Sequence, residues 1–161
     1  MDREKLQKLS ELTNVILNSK NIKEAIHHTS DIVKEIIDVE RISIFIYEYE
    51  KNNVYTCRAD YTDKIEMPAN KGIVGKVIET KKPYITNDAY SDENFNKEVD
   101  LKSGFVTKNI LAVPIVDTVG KLIGVIELIN KKGDFNDKDL AFAKVLAQYL
   151  SEPLKLQIGL F

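Results

Sequence analysis

Two apolar runs, Ile110 to Val116 and Leu122 to Ile129, most constrain what this chain can fold into. Both are short, rich in β-branched residues and joined by a turn that contains Gly120, a pattern that predicts paired strands. One residue inside them is out of keeping. Glu127 stands in a run that is apolar on both faces, where a bare charge is prohibitively costly, so its carboxyl must be neutral, paired or bound to something. Pro114 takes a ladder donor out of the first run, which predicts a sheet edge, a bulge or a position that needs no donor.

What precedes the two strands reads as a lid. Lys71-Gly72-Ile73-Val74-Gly75 opens a short helix to about Thr80, and glycines at a helix start admit close backbone approach and leave N–H groups free for an anion, or simply make a turn. Lys81-Lys82-Pro83 ends it and Tyr84 to Thr86 is a short strand. The acidic segment from Asn87 to Asp100 is too long for a plain connection, and a helix is expected over Asn94 to Leu101, stopped by Gly104.

Further upstream, Arg41 to Tyr49 alternates isoleucines with Ser43, Phe45 and Tyr47, so both faces of that strand are covered. Ser43 is then either bonded to backbone or pointed into a cavity. Val54 to Tyr61 returns as its antiparallel partner. Helical spacing of Leu6, Leu9, Leu12, Ile16 and Leu17 predicts a first helix, and Asn21 to Glu24 reads as a capping box for a second, which turns His27, Asp31 and Glu35 outward. A final helix starts at Asn136 as N-cap, with Asp139 at the third position and Phe135 stapled onto Leu140. Pro153 should kink or end it, leaving Leu154, Leu156, Ile158, Leu160 and Phe161 to seek a partner helix or a further domain.

Composition narrows the class of function. With 43% hydrophobic and 30% charged residues and a net charge of -2, the chain has a core but no basic stripe for nucleic acid. No run approaches the roughly 18 apolar residues that span a bilayer, so neither a membrane nor a nucleic-acid partner is expected, and the expected compartment is the cytoplasm. Cys57 is the only cysteine, which excludes an intrachain disulfide, a cysteine metal cluster and two-thiol redox catalysis. No Ser-His-Asp, histidine-rich or phosphate-loop constellation appears, and the expectation is that the chain is not an enzyme.

Several strings in this order resemble the GAF domain, and specifically the cyclic-nucleotide-binding GAF domains of phosphodiesterases and adenylyl cyclases. They are Ile65-Glu66-Met67-Pro68-Ala69, Gly72-Ile73-Val74-Gly75, Asp88-Ala89-Tyr90 followed by Phe95, then Asp100, Ser103-Gly104-Phe105, Thr107, Asn109-Ile110-Leu111, Gly124-Val125 and Glu127 to Lys131. The family's NKFDE set stands here as Asn130, Lys131, Phe135 and Asp139, with Leu140 in place of the last glutamate. Lys131 beside Asp139 reads as a tether of strand to helix.

The resemblance implies an α+β fold: a six-stranded antiparallel sheet in the order 3-2-1-6-5-4, terminal helices on one face, and lid helices over a ligand pocket on the other. It divides the chain into a helix for dimerisation or linkage over residues 1–20, the GAF domain over 21–152, and a helical extension or linker over 153–161 toward an output domain. It places the ligand contacts on Ser43, Asp60, Ile73, Asn96, Asp100, Ser103, Thr107 and Glu127, with Phe95 beside them. Asn96 departs from the tyrosine of those relatives, and an amide does not restore a ring's contact area. Ser43, Asp60 and Glu127 would read the base, Ile73 would pack on it, and Asp100, Ser103 and Thr107 would hold ribose and cyclic phosphate. A carboxylate that accepts from ring N–H and amino groups favours guanine, whereas Arg58 would donate to adenine nitrogens, so cGMP and cAMP both stay open. No haem or bilin is expected: His27 and His28 belong to a helix behind the sheet, and Cys57 lies in a strand. The implied role is a cytoplasmic sensor, homodimeric through its end helices and joined to an output domain. The alternative is an interaction module with a collapsed pocket.

Overall fold

The computed structural model describes residues 3–57 and 64–159, except for the side chains at 99, 102 and 103. The sheet is six-stranded and antiparallel in the order β3-β2-β1-β6-β5-β4. Its strands are β1 (Val39–Glu48), β2 (Asn53–Thr56), β3 (Ile65–Pro68), β4 (Tyr84–Thr86), β5 (Ile110–Val116) and β6 (Leu122–Lys131). The two apolar runs are thus β5 and β6, adjacent as expected. The return strand is shorter than its sequence pattern, ending at Thr56, and its expected continuation to Tyr61 lies outside the described residues.

Alternation along the strands sorts the side chains onto two faces. Ile44 and Ile46 of β1, Leu111, Val113 and Ile115 of β5 and Ile126 and Leu128 of β6 form one fully apolar face. Two helices, α2 (Ile22–Ile36) and α5 (Asp137–Ile158), lie on it, and α1 (Arg3–Asn18) packs across those two. Leu9, Leu12 and Ile16 bury the inner stripe of α1, and Ala25, Ile26, Val33 and Ile36 that of α2. Asn21 caps α2 by accepting from Glu24 N, but Glu24 answers to Lys20 N rather than to Asn21 N, a capping box shifted by one residue.

Pro153 does not end α5, which continues to Ile158, so of the two expected effects the stop is not seen. The lost ladder bond is offset by burial, because Leu150, Pro153 and Leu154 are all inside. Gln157 then donates to the carbonyls of Ile16 and Ser19 at 2.8 and 2.9 Å, docking the end of α5 on the end of α1. Of the expected apolar tail, Leu154 is internal and Ile158 half-buried; Leu156 stays exposed, and residues 160 and 161 lie outside the described part. His27 is also not simply solvated, for its Nε2 is buried without a partner.

On the opposite face the same strands present Phe45, Val54, Ile110, Ala112, Val125 and Ile129. Here α3 (Gly72–Thr80) lies across the sheet with Ile73, Val74 and Val77 turned inward. The segment 87–109 closes the rest through a single 3-10 turn, Ala89–Ser91, and α4 (Glu98–Ser103), which stops at Gly104 in the left-handed conformation, φ 75°. α4 begins four residues later than the expected Asn94. Asp92 and Asn94 are drawn into side-chain bonds with the Tyr84 hydroxyl, and Asp92 also accepts from Asn94 N, which holds this stretch as a turn. Pro114 is accommodated as predicted: β4 pairs with β5 only as far as Ala112, leaving an edge beyond, and the ladder to β6 is irregular between Ile115 and Val116.

Candidate ligand-binding site

Between this second face, α3 and the lid lies a cavity of about 320 Å³. That is at the lower end of the range typical of small-molecule sites, roughly 300 to 1,000 Å³. Ser43 and Glu127 are direct partners across β1 and β6 and form part of its floor. Ile73 supplies the wall from the first turn of α3, and Phe95, Asn96, Asp100 and Thr107 line it from the lid. Seven of the sequence-predicted contacts are thereby brought together from β1, β6, α3 and the lid. Arg58 and Asp60 lie outside the described residues, as does the side chain of Ser103.

Glu127 is 8% exposed, and among the described residues no hydrogen-bond donor or cation reaches its carboxyl. Burial alone pushes its pKa up to about 7. A carboxyl group in this state titrates near neutrality and keeps its lone pairs for whatever enters the cavity. Ser43 beside it also faces the cavity, resolving the two alternatives its sequence position left open.

Asp100 is the second buried carboxylate of the cavity, and its oxygens are already in use. Thr107 donates to it twice, from N at 2.7 Å and from Oγ1 at 2.9 Å, and the Tyr90 hydroxyl donates at 2.7 Å. Asp100 therefore clasps the two ends of the lid helix region to each other. Tyr90 also stands edge-on to Phe95, ring centroids 5.6 Å apart, which fixes the Phe95 ring over the cavity. Asn96 is exposed; its Oδ1 accepts from Glu98 N, and its Cβ lies against Gly72 at the start of α3.

The motif set Asn130, Lys131, Phe135 and Asp139 works behind the cavity. Asn130, in a left-handed conformation with φ 61°, accepts from the N–H groups of Lys108 and Asn109 and donates to the Val106 carbonyl, so it anchors the end of the lid to β6. Lys131 pairs with Asp139, and Asp139 completes the capping box of α5 with Asn136. Phe135 is buried in the helix-side core.

Sequence reasoning missed Arg41, Thr56, Lys71 and Phe105, all of which line the cavity. For Arg41 a signal existed: it is two residues before Ser43 on β1 and so shares its face. Cys57 belongs to the helix-side core, away from the cavity, and burial raises its thiol pKa. Among the described residues no cluster of metal-ligating side chains is present.

The GAF domain family model matches residues 21–152, and the chain belongs to that family of regulatory modules. It is 30% identical over 168 residues to the cGMP-specific 3',5'-cyclic phosphodiesterase of Drosophila ananassae, covering 94% of this chain but only 14% of that relative. The chain thus spans about one seventh of the length of such a relative. In fold it is similar to the GAF domain of an Acinetobacter phosphoenolpyruvate-protein phosphotransferase, with TM-score 0.75, 19% identity and 100% of each chain covered. It also resembles the free methionine-R-sulfoxide reductase of Neisseria meningitidis, with TM-score 0.75, 12% identity and 100% and 96% of the two chains covered. At these identities both likenesses speak for the fold alone.

Proposed function

We propose that this domain is the small-molecule sensor of a signalling protein, that its ligand is a cyclic nucleotide, and that cGMP binds more tightly than cAMP. The observation that carries this reading is the carboxyl of Glu127, without a partner among the described residues, on the floor of a partly enclosed, mostly apolar cavity. Guanine offers two donors side by side, its ring N–H and its amino group, and a carboxylate accepts from both. Adenine offers only its amino group there. The relative described above, a cGMP-specific phosphodiesterase, supports the same ligand class.

Binding would close the lid onto α3 and change how the terminal helices pair across a homodimer, passing the signal to an output domain. Leu6 and Leu17 of α1 and Leu156 of α5 are exposed on those helices and supply an apolar surface for such pairing. Coupling of this kind is worth about 1 to 3 kcal/mol, enough for a switch.

The test is thermal and calorimetric titration of the protein with cGMP and with cAMP. Ligand at 100 times its dissociation constant should add about 2.7 kcal/mol of stability. Binding of cGMP should also weaken as the pH falls below about 7, because protonation of Glu127 removes an acceptor. Absence of binding by either nucleotide would reduce the domain to a dimerising scaffold.

A further inference from the structure

Arg41 is a cation on the cavity floor that lies outside the predicted set of ligand contacts. It stands on the same face of β1 as Ser43, and its register partner on β6 is Ile129, two residues from Glu127. Diagonal neighbours of this kind are about 7 to 8 Å apart, within reach of long side chains. Among the described residues Arg41 forms no ion pair or side-chain hydrogen bond; its guanidinium instead lies over the Phe105 ring, 3.8 Å from the centroid. Five N–H donors are thus held flat at the edge of the cavity, beside an unpaired carboxyl, by a ring that uses none of them.

Lys71, the other cation lining the cavity among the described residues, is placed differently. It precedes α3, which follows β3, and β3 ends at Pro68 across β2 from Glu48, the far end of β1 from Arg41. The first N–H groups of α3 lie at that end, so an anionic ring of a ligand is served there without Arg41. The end of the cavity holding Glu127, Ser43 and Arg41 pairs acceptors with donors along one floor.

We infer that Arg41 is a specificity-determining residue that donates to the acceptor edge of a bound purine, O6 and N7 of guanine, while Glu127 accepts from its donor edge. This rests on the cyclic-nucleotide reading above and goes further, for it assigns the remaining edge of the base to a residue outside the set the family resemblance supplied. A guanidinium matches O6 and N7 with two parallel bonds.

The experiment compares cGMP with its 7-deaza analogue, in which N7 is replaced by C–H, on the wild-type chain and on Arg41→Gln and Arg41→Lys. The wild type should bind the analogue about fivefold or more weakly, the size expected for losing part of a bidentate contact. Arg41→Gln should bind cGMP more weakly than the wild type does and no longer distinguish the two nucleotides. Arg41→Lys, which keeps the charge without the planar fork, should recover little of the discrimination. Equal wild-type binding of the two nucleotides overturns the assignment, and that arm needs no variant to fold. An equal loss for both nucleotides in Arg41→Gln also overturns it, as does discrimination retained in that variant. If the wild type binds neither nucleotide, the sensor reading itself has failed and this inference with it.

Discussion

The floor and the lid of the cavity each bury one carboxylate, and the two are built in opposite ways. Glu127 sits in the middle strands of the sheet at 8% exposure with no donor among the described residues, whereas Asp100, at 6%, is met by three donors from its own segment. A buried charge is tolerated either when it is fully bonded or when the group is free to become neutral. Asp100 takes the first course and Glu127 the second. Asp100 thereby holds a shape, and Glu127 leaves its acceptors open to the cavity. The backbone beneath each differs too. β6 crosses β1 so closely at Gly124 that a Cβ there would fall 2.0 Å from the Phe45 carbonyl oxygen, while Gly104 in the lid has nothing within 4 Å.

The sharpest break in this comparison is to add one methyl group on each side. Gly124→Ala drives a Cβ into backbone that has no room to move without opening the β1–β6 pairing, and should cost at least about 4 kcal/mol. Gly104→Ala meets only the strain of its left-handed conformation, about 1 to 2 kcal/mol. Denaturant unfolding of the two variants measures both. Similar losses would mean that the floor yields as readily as the lid.

A smaller effect, with its sign set by titration, separates the carboxylates themselves. The Glu127 carboxyl titrates at about 7 in the folded chain and near 4.5 when unfolded. Between those values the folded state holds a proton that the unfolded state has released, so stability falls as the pH rises through that window and levels off above about 7. The shift corresponds to about 3 kcal/mol. Glu127→Gln removes this component, so the stability of the variant relative to wild type should climb by about 3 kcal/mol from pH 4 to pH 8. Urea titrations at a series of pH values read it directly, and a flat difference would place a donor on Glu127 in the folded chain.

The strands, their faces and the position of Glu127 were legible in the sequence because hydrophobic alternation reports burial directly. Ile110 to Val116 matches its strand to the residue, and the short helix expected to run from the Gly72 stretch to about Thr80 spans Gly72–Thr80. What escaped was set by tertiary contacts that no local pattern encodes. The Tyr84 hydroxyl, on the neighbouring strand β4, holds Asp92 and Asn94 out of the lid helix. Burial of Leu150 and Leu154 carries α5 through Pro153. Within the cavity, apolar context singled out Glu127, whereas the clasp at Asp100 was not legible because its three donors come together only in the folded lid. Arg41 was overlooked because a charged residue at the start of a strand ordinarily faces water.

The mildest test asks whether Asp100 serves the lid or the ligand. Thr107→Val keeps the shape of the side chain and the backbone bond from Thr107 N to Asp100, and removes only the hydroxyl bond to Oδ1. A hydrogen bond to a charged group contributes about 1.5 to 3 kcal/mol in a rigid setting. The lid opens more easily than the sheet, so global unfolding should register only about 1 kcal/mol, with the rest appearing as local opening. Amide exchange at Thr107, Lys108 and Asn109 should therefore accelerate more than exchange at β6 amides such as Ile126 and Leu128. Nucleotide affinity should drop by no more than the added lid opening accounts for. A large loss of affinity with unchanged exchange would move Asp100 and Thr107 from the clasp to the ligand, and the two carboxylates of the cavity would no longer be opposites.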